Sequence, residues 1–325
     1  MEDSIIKFSE QFEWEPQIIN KEKIKEEGYK NYVIGGMGGS HLAAGLLQTY
    51  KPDINLHIHS DYGIPAYDED FCQESLFIAS SYSGNTEEVV DFLDEVYAKG
   101  YDVIVIATGG KLIEFAEANN IPYIQIPDTG VQPRSALGFS TLALASVVIP
   151  EAIEEIKSMG EILQPESLRE EGMSFAKTIG TKIPVIYTST HNKAIGYNWK
   201  IKINETGKSP AFYNVLPELN HNEMQGYDPE SGGSAKENAE NFHFFLIHDP
   251  EDHLRIAKRM EVIEGLLQEK GYAVTRLYLE GETSLEKIFK SLLLADWLAL
   301  GLAQQSGAEP EEVPLIEEFK RRLLK

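Results

Sequence analysis

Short, unbroken apolar runs recur along the first half of the chain. They alternate with stretches whose apolar residues fall three and four apart. Runs at 32–35, 54–59, 76–80, 102–107 and 123–126 read as strands buried on both faces. Helices are expected between them at 40–50, 86–99 and 111–119. Within 86–99, Val89, Leu93, Val96 and Tyr97 make one apolar stripe. Glu87 and Glu88 suit the positive end of that helix, and Gly100 suits its stop. Strands alternating with helices predict an α/β fold, a parallel sheet covered on both faces.

The same pattern returns after a long helical stretch at 139–157. The polar segment 158–172, with Gly160 and Pro165, reads as a connector. Strands follow at 184–189, 242–248 and 273–279, with helices at 192–204, 252–270 and 284–303. A last amphipathic helix is expected at 313–324. Two α/β halves result, 1–157 and 158–325, alike in architecture but without a visible sequence repeat. Segment 225–241, which holds Ser231-Gly232-Gly233-Ser234, reads as a flexible surface loop without chemistry, a mobile lid being the sharper alternative.

Composition narrows the setting. A chain of 325 residues can bury large cores without covalent staples. Its one cysteine, Cys72, rules out an internal disulfide and suits a reducing, cytoplasmic location. There is no Cys and His cluster of the kind that zinc sites use, so no metal is expected. His57 and His59 flank Ile58 on one strand face and read as surface or packed histidines. The first sixteen residues are polar and acidic, unlike a signal peptide. The longest apolar run, 292–302, is interrupted by Asp296, so no membrane span is expected. A net charge of −23 argues against a nucleic-acid partner. It also means that an anionic ligand must be held by local dipoles and a few cations.

Chemistry concentrates at junctions. The strand at 76–80 runs into Ser81-Tyr82-Ser83-Gly84-Asn85-Thr86 and then a helix. Ser81, Ser83 and Thr86 bring three hydroxyls, Gly84 permits close backbone approach, and the helix start adds free N–H groups. An anion, above all a phosphate, fits there; the alternative is an ordinary cap by Asn85 or Thr86. A second junction, Gly35-Gly36-Met37-Gly38-Gly39-Ser40, resembles a dinucleotide turn, with Asp61 where a ribose-binding acid belongs. His41 stands where the third glycine is needed, so a ligand-contacting glycine turn ending in Ser40 is the better reading, tight packing being the alternative. In Pro133-Arg134-Ser135-Ala136-Leu137-Gly138, Arg134 is a candidate oxyanion partner or a surface arginine. Glu205, at the end of a helix, and His221, between Asn220 and Asn222, supply a carboxylate and an imidazole. That pair of types can move protons between carbon and oxygen, though each could equally be structural.

Taken in order, these segments resemble the bifunctional phosphoglucose/phosphomannose isomerases of the sugar-isomerase (SIS) domain superfamily. The carriers are 35–40, 81–86, 133–138, Asn204-Glu205-Thr206-Gly207-Lys208-Ser209-Pro210-Ala211 and Leu219-Asn220-His221-Asn222-Glu223. The resemblance implies two SIS domains, each a parallel sheet flanked by helices, with a C-terminal helix returning to the active site. It implies interconversion of glucose 6-phosphate and fructose 6-phosphate by ring opening and a cis-enediolate, without cofactor or metal. It also implies a homodimer in which the partner subunit donates His221.

By the same resemblance, Gly39, Ser40, Ser81, Ser83 and Thr86 match substrate positions, the last three around the phosphate. Arg134 matches the arginine that steadies the enediolate, and Glu205 the base acting between C1 and C2. His221 and Lys320 match the ring-opening pair. Val313 precedes Pro314 where bifunctional members carry threonine, which leaves mannose 6-phosphate open as a second substrate. The rival reading is a non-catalytic sugar-phosphate sensor, against which the chain offers no spare basic segment for nucleic acid.

Overall fold

Parallel strands buried on both faces need apolar side chains at nearly every position, and the central strands Ser75–Ser80 and Val103–Ala107 are buried throughout. The computed structural model describes residues 1–26 and 28–323. The expected helix end at Leu324 lies outside the described residues. Two compact units form: one is Lys7–Leu163, the other Met1–Ile6 with Gln164 onward. The division falls at 163/164 rather than at the expected 157/158, because Ile156, Met159 and Leu163 are buried within the first of these.

The Lys7–Leu163 unit holds β1 (Ile18–Ile19), β2 (Asn31–Gly35), β3 (Leu56–His59), β4 (Ser75–Ser80), β5 (Val103–Ala107) and β6 (Tyr123–Gln125). Its sheet order is β1-β6-β5-β4-β2-β3. All pairings are parallel except the two-residue edge β1, an element too short for the sequence pattern to reveal. Helices α1 (Gly39–Tyr50), α2 (Glu87–Ala98), α3 (Gly110–Asn119) and α4 (Leu137–Val148) cover it. The expected helix 139–157 breaks where Pro150 cannot donate its N–H, and resumes as a short helix Ile153–Lys157. Phe77, Phe92, Leu93, Val96 and Val105 form the core under α2.

The other unit holds β7 (Ile183–Ser189), β8 (Phe212–Leu216), β9 (Phe242–His248) and β10 (Ala273–Tyr278), all parallel, in the order β10-β9-β7-β8. Strand for strand this repeats β5-β4-β2-β3. Its helices are α5 (Arg169–Ile179), α6 (Lys193–Glu205), α7 (Leu254–Glu269), α8 (Ser284–Ser306) and α9 (Pro314–Leu323). Helix α8 is buried along nearly its whole length and packs on α5 and α6. Among the described residues no helix is long and apolar enough to cross a membrane.

Segment 225–241 departs from the expected featureless loop. It folds as 3₁₀ turns and a short helix Gly233–Asn238. Tyr227 anchors it edge-on against Phe244, with ring centres 4.9 Å apart. Lys270 ties it further through Asp228 at 3.1 Å and Glu230 at 2.9 Å.

The turn after β4 depends on one crossing. Gly84 has φ +68°, and a Cβ there would lie 1.7 Å from the carbonyl oxygen of Gly109. Gly100 has a similar φ, +73°, with open space around it. Gly100→Ala should therefore cost only the left-handed backbone penalty, about 1–2 kcal/mol. Gly84→Ala should cost clearly more, because two backbones must also separate. Calorimetric unfolding of both variants checks this, with the larger fall in Tm expected for Gly84→Ala.

Candidate active site

In the Lys7–Leu163 unit the chain leaves β2 to form β3 on one side, then crosses to form β4 on the other. In open parallel sheets the loops that leave such a reversal bound a crevice at the carboxyl ends of the strands; here they are the loops after β2 and β4. Ligands of open parallel sheets bind at such reversals.

The two loops are clipped together by Ser40, which was expected, and by Ser80, the last residue of β4, which was not. Ser40 is buried, and its Oγ accepts the Tyr82 N–H at 2.8 Å. Ser80 Oγ donates back to the Ser40 carbonyl at 3.1 Å. The Ser81 and Thr86 hydroxyls share a 2.8 Å bond, and Ser81 Oγ also accepts the Gly84 N–H at 3.1 Å. Thr86 precedes α2 with extended backbone but makes no capping bond. The ordinary-cap alternative thus fails for Thr86: its hydroxyl turns to Ser81 and leaves the helix start open to an anion. Asn85 does not cap α2 either; its Oδ1 accepts the Lys111 N–H in the first turn of α3 at 3.2 Å. Ser83 is exposed at the rim, and its Oγ accepts the Asn85 N–H at 3.3 Å.

Arg134 belongs to the same crevice. It lies in a 3₁₀ turn, Pro133–Ser135, and is 1% exposed, so the surface-arginine alternative does not hold. A Cβ on Gly39 would meet Pro133 Cβ at 2.9 Å and the Arg134 nitrogen at 3.1 Å. The glycine therefore lets the arginine turn seat directly on the start of α1. Gln11 pins that turn from behind. Its Nε2 donates to the Ser135 carbonyl at 2.7 Å, and its Oε1 accepts the Gly138 N–H at 3.0 Å. Nothing in the sequence signals Gln11, since the contact spans more than a hundred residues. The neighbouring His41 adds no fixed cation, because burial pushes its imidazole pKa down. His57 packs on Tyr67 and Phe71, and His59 on Phe92, as packed histidines would.

The equivalent reversal in the other unit, between β7 and β9, is filled from within. Asp249 is buried there and accepts bonds from Asn192 Nδ2 at 3.0 Å, the Glu251 N–H at 3.0 Å and Lys287 Nζ at 3.2 Å. Burial alone would raise its pKa, but these three donors outweigh burial and hold it low. A side-chain carboxylate thus sits at the reversal of this unit, where the first unit has the hydroxyls of Ser81 and Thr86.

The remaining expected residues lie in this second unit. Glu205 is the last residue of α6 and half-buried. Its carbonyl accepts Lys208 Nζ, which also donates to the Glu312 carbonyl just before α9. Lys208, to which the sequence assigned no role of its own, therefore clips the start of the C-terminal helix beside the end of α6. His221 closes a 3₁₀ turn, Glu218–His221, and is exposed. Its segment is anchored by Glu223, whose carboxylate accepts Tyr187 Oη at 2.7 Å and Asn214 Nδ2. Burial first, and the Glu223 charge second, push the Tyr187 phenol far up, so it stays a donor. Lys320 lies on α9, 63% exposed, and pairs with Glu317 at 2.8 Å. Among the described residues no bond joins Lys320 to Glu205.

Known proteins resemble the chain over most of its length. The family of the bacterial phospho-glucose isomerase C-terminal SIS domain matches residues 168–323. A bifunctional phosphoglucose/phosphomannose isomerase of Caldicellulosiruptor bescii is 36% identical over 318 residues, 92% of this chain and 91% of that one. The Aquifex aeolicus protein of the same name is 33% identical over 326 residues, 98% and 96% of the two chains. The crystal structure of tagatose-6-phosphate ketose/aldose isomerase from Escherichia coli superposes with a TM-score of 0.70, covering 95% of this chain and 94% of that one. At 15% identity that likeness speaks for the fold alone. With relatives 36% and 33% identical over more than nine-tenths of the chain, the chain belongs to the bifunctional phosphoglucose/phosphomannose isomerase family.

Proposed function

We propose that this protein interconverts glucose 6-phosphate and fructose 6-phosphate, and that mannose 6-phosphate enters the same reaction. The observation that carries the reading is the crevice between β2 and β4. Hydroxyls and an uncapped helix start suit a phosphoryl group, and the buried Arg134 turn packs directly against it. The names of the relatives point the same way.

The chemistry divides the residues by role. Ring opening breaks the C1–O5 bond: an acid protonates O5 while a base takes the O1 proton. His221 and Lys320 are assigned to these transfers. Glu205 then takes the C2 proton. The electron pair forms the C1–C2 double bond and the carbonyl π electrons move to O1, giving a cis-enediolate. Return of the proton to C1, with transfer of the O2 proton to O1, leaves the ketose. Arg134 meets the charge that grows on the enediolate oxygens, an interaction stronger in the transition state than in the sugar. The phosphate does not react; holding it pre-positions C1 and C2. Glucose and mannose 6-phosphates differ only at C2, whose configuration is lost in the enediolate, so both can feed one intermediate. We further assign a cytoplasmic homodimer in which His221 serves the partner subunit's site.

Purified protein should turn over glucose 6-phosphate in a coupled assay, with undiminished rate in the presence of chelator. Lack of turnover with both aldoses would favour the sensor reading; loss on chelation would contradict a carboxylate base working without metal. Mannose 6-phosphate, assayed in parallel, decides the specificity that Val313 leaves open.

Glu205→Gln should lower kcat by about 10²–10⁴ with little change in KM, since a placed base acts on the chemical step. Retention of most activity would remove the base assignment.

Ser83→Ala and Thr86→Val should instead raise KM. Hydrogen bonds to a charged group contribute roughly 1.5–3 kcal/mol each, equivalent to about 10–150-fold. Initial rates against substrate concentration separate the two effects.

A further inference from the structure

Three residues before Glu205, α6 carries Lys202. Its Nζ lies 2.7 Å from both carboxylate oxygens of Asp296 on α8. The two side chains are 1% and 4% exposed. Asp296 is the charge that interrupts the longest apolar run of the sequence. Taking both charges out of water is costly, and an apolar pair of equal volume would pack at least as well. Apolar packing is already abundant here: Ile203, Leu298 and Leu302 are buried along the same two helices. A packing role alone therefore does not account for the pair.

What a two-pronged ion pair adds is direction. Dispersion contacts tolerate a small roll of one helix on another, whereas Nζ between two oxygens does not. Such a roll would be felt most at the turn that ends α6. The Lys202 carbonyl accepts the N–H groups of Thr206 at 2.9 Å and Gly207 at 3.2 Å, so the turn carrying Glu205 hangs on Lys202 itself. Gly207 closes on α8, where a Cβ would meet Leu302 Cδ1 at 3.3 Å and the Ala299 carbonyl at 3.4 Å. One turn earlier, Trp199 Nε1 donates to Ser291 Oγ at 2.9 Å, a second polar clip between the helices. A side chain reaches about 5–6 Å from a helix axis, so a roll of about 10° moves its tip by about 1 Å. A misplacement of that size can cost about 10²-fold in rate.

We propose that Lys202 and Asp296 are positioning residues that fix the roll of α6 on α8 and so aim the Glu205 carboxylate at the C1–C2 edge of the substrate. This rests on the isomerase reading, with Glu205 as base. The pair touches no substrate and takes part in no proton transfer.

The test is the charge-free double variant Lys202→Met/Asp296→Leu, with Asp296→Glu as a charge-conserving companion that lengthens the pair by one methylene. The double variant should unfold at or above the parent Tm, with kcat reduced about 10–100-fold and KM within about threefold. A merely structural role would leave the fate of the transferred hydrogen unchanged. A misaimed carboxylate should raise the kinetic isotope effect of C2-deuterated substrate and lose more C2 label to solvent relative to C1. Parental kcat and label partition in the folded double variant would overturn the proposal. If the double variant fails to fold, parental values in Asp296→Glu would do the same, and shifted values would support it. Glu205→Gln run alongside separates the two levels. Activity in that variant would overturn the base assignment and the positioning proposal with it. Its inactivity beside a fully active pair variant would overturn the positioning alone.

Discussion

Everything in the Lys7–Leu163 unit depends on the reversal of strand order at β2. A parallel strand ends with its carbonyls and the next helix's N–H groups pointing to the same edge, and those groups must be met by something. Where two neighbouring loops diverge, neither can satisfy the other fully. The fold leaves a polar crevice there by construction, and the sequence decides what fills it. Around β2 and β4 the answer is hydroxyls that bond one another and leave a helix start open. Around β7 and β9, with the same strand order, the answer is Asp249, held by Asn192 and Lys287. One topology thus yields a reversal lined by hydroxyls beside an uncapped helix start and a reversal closed by an internal carboxylate.

How much of this was legible depends on how local each signal is. The buried parallel strands could be read because each is a continuous apolar run, and β4 even showed its turn chemistry. Strand β8 escaped notice because it is an edge strand with Asn214 in its middle and mostly half-buried positions. Helix α5 is hidden because its first residues, 169–172, read as the end of the polar connector 158–172. In the fold Gly172 is where α5 crosses α8, and a Cβ would meet Trp297 Cβ at 2.5 Å. A residue chosen for close helix packing carries the same letter as one chosen for a turn. The site was legible in the same measure. Ser40, Ser81, Ser83, Thr86 and Arg134 are marked by runs of residue types and converge on one crevice. Gln11 leaves no local trace, and Lys208 and Glu223, though inside segments that carry the resemblance, show nothing of their anchoring contacts, because each acts through a distant partner or through the main chain.

The two ends of a sugar phosphate ask for opposite surroundings. The phosphoryl end wants donors and positive dipole ends. The reacting end wants a carboxylate able to take a proton from carbon, with a cation ready for the enediolate. A carboxylate beside the phosphate would repel it at the low effective dielectric of a partly buried site. Among the expected residues, the hydroxyls Ser81, Ser83 and Thr86 lie in the Lys7–Leu163 unit and Glu205 lies in the other. The hydroxyls sit at the start of a helix, where dipoles favour anions, and Glu205 sits at the end of one.

The chain's charge sharpens the argument. With 52 acidic against 29 basic side chains, cations are the scarcer resource. Among the described residues, the buried basic side chains other than histidine are Arg134, Lys202 and Lys287. Buried cations are costly wherever they stand, so a stable fold alone gives no reason to place them inside. Their positions are not scattered. Arg134 stands beside the open crevice, Lys287 holds the carboxylate that closes its counterpart, and Lys202 lies under the turn that carries Glu205. The long-range field of the protein repels a sugar phosphate, so binding must come from groups close enough to outweigh that field at short range. A scarce cation serves such a purpose only where water is excluded and its direction is fixed, and burial supplies both.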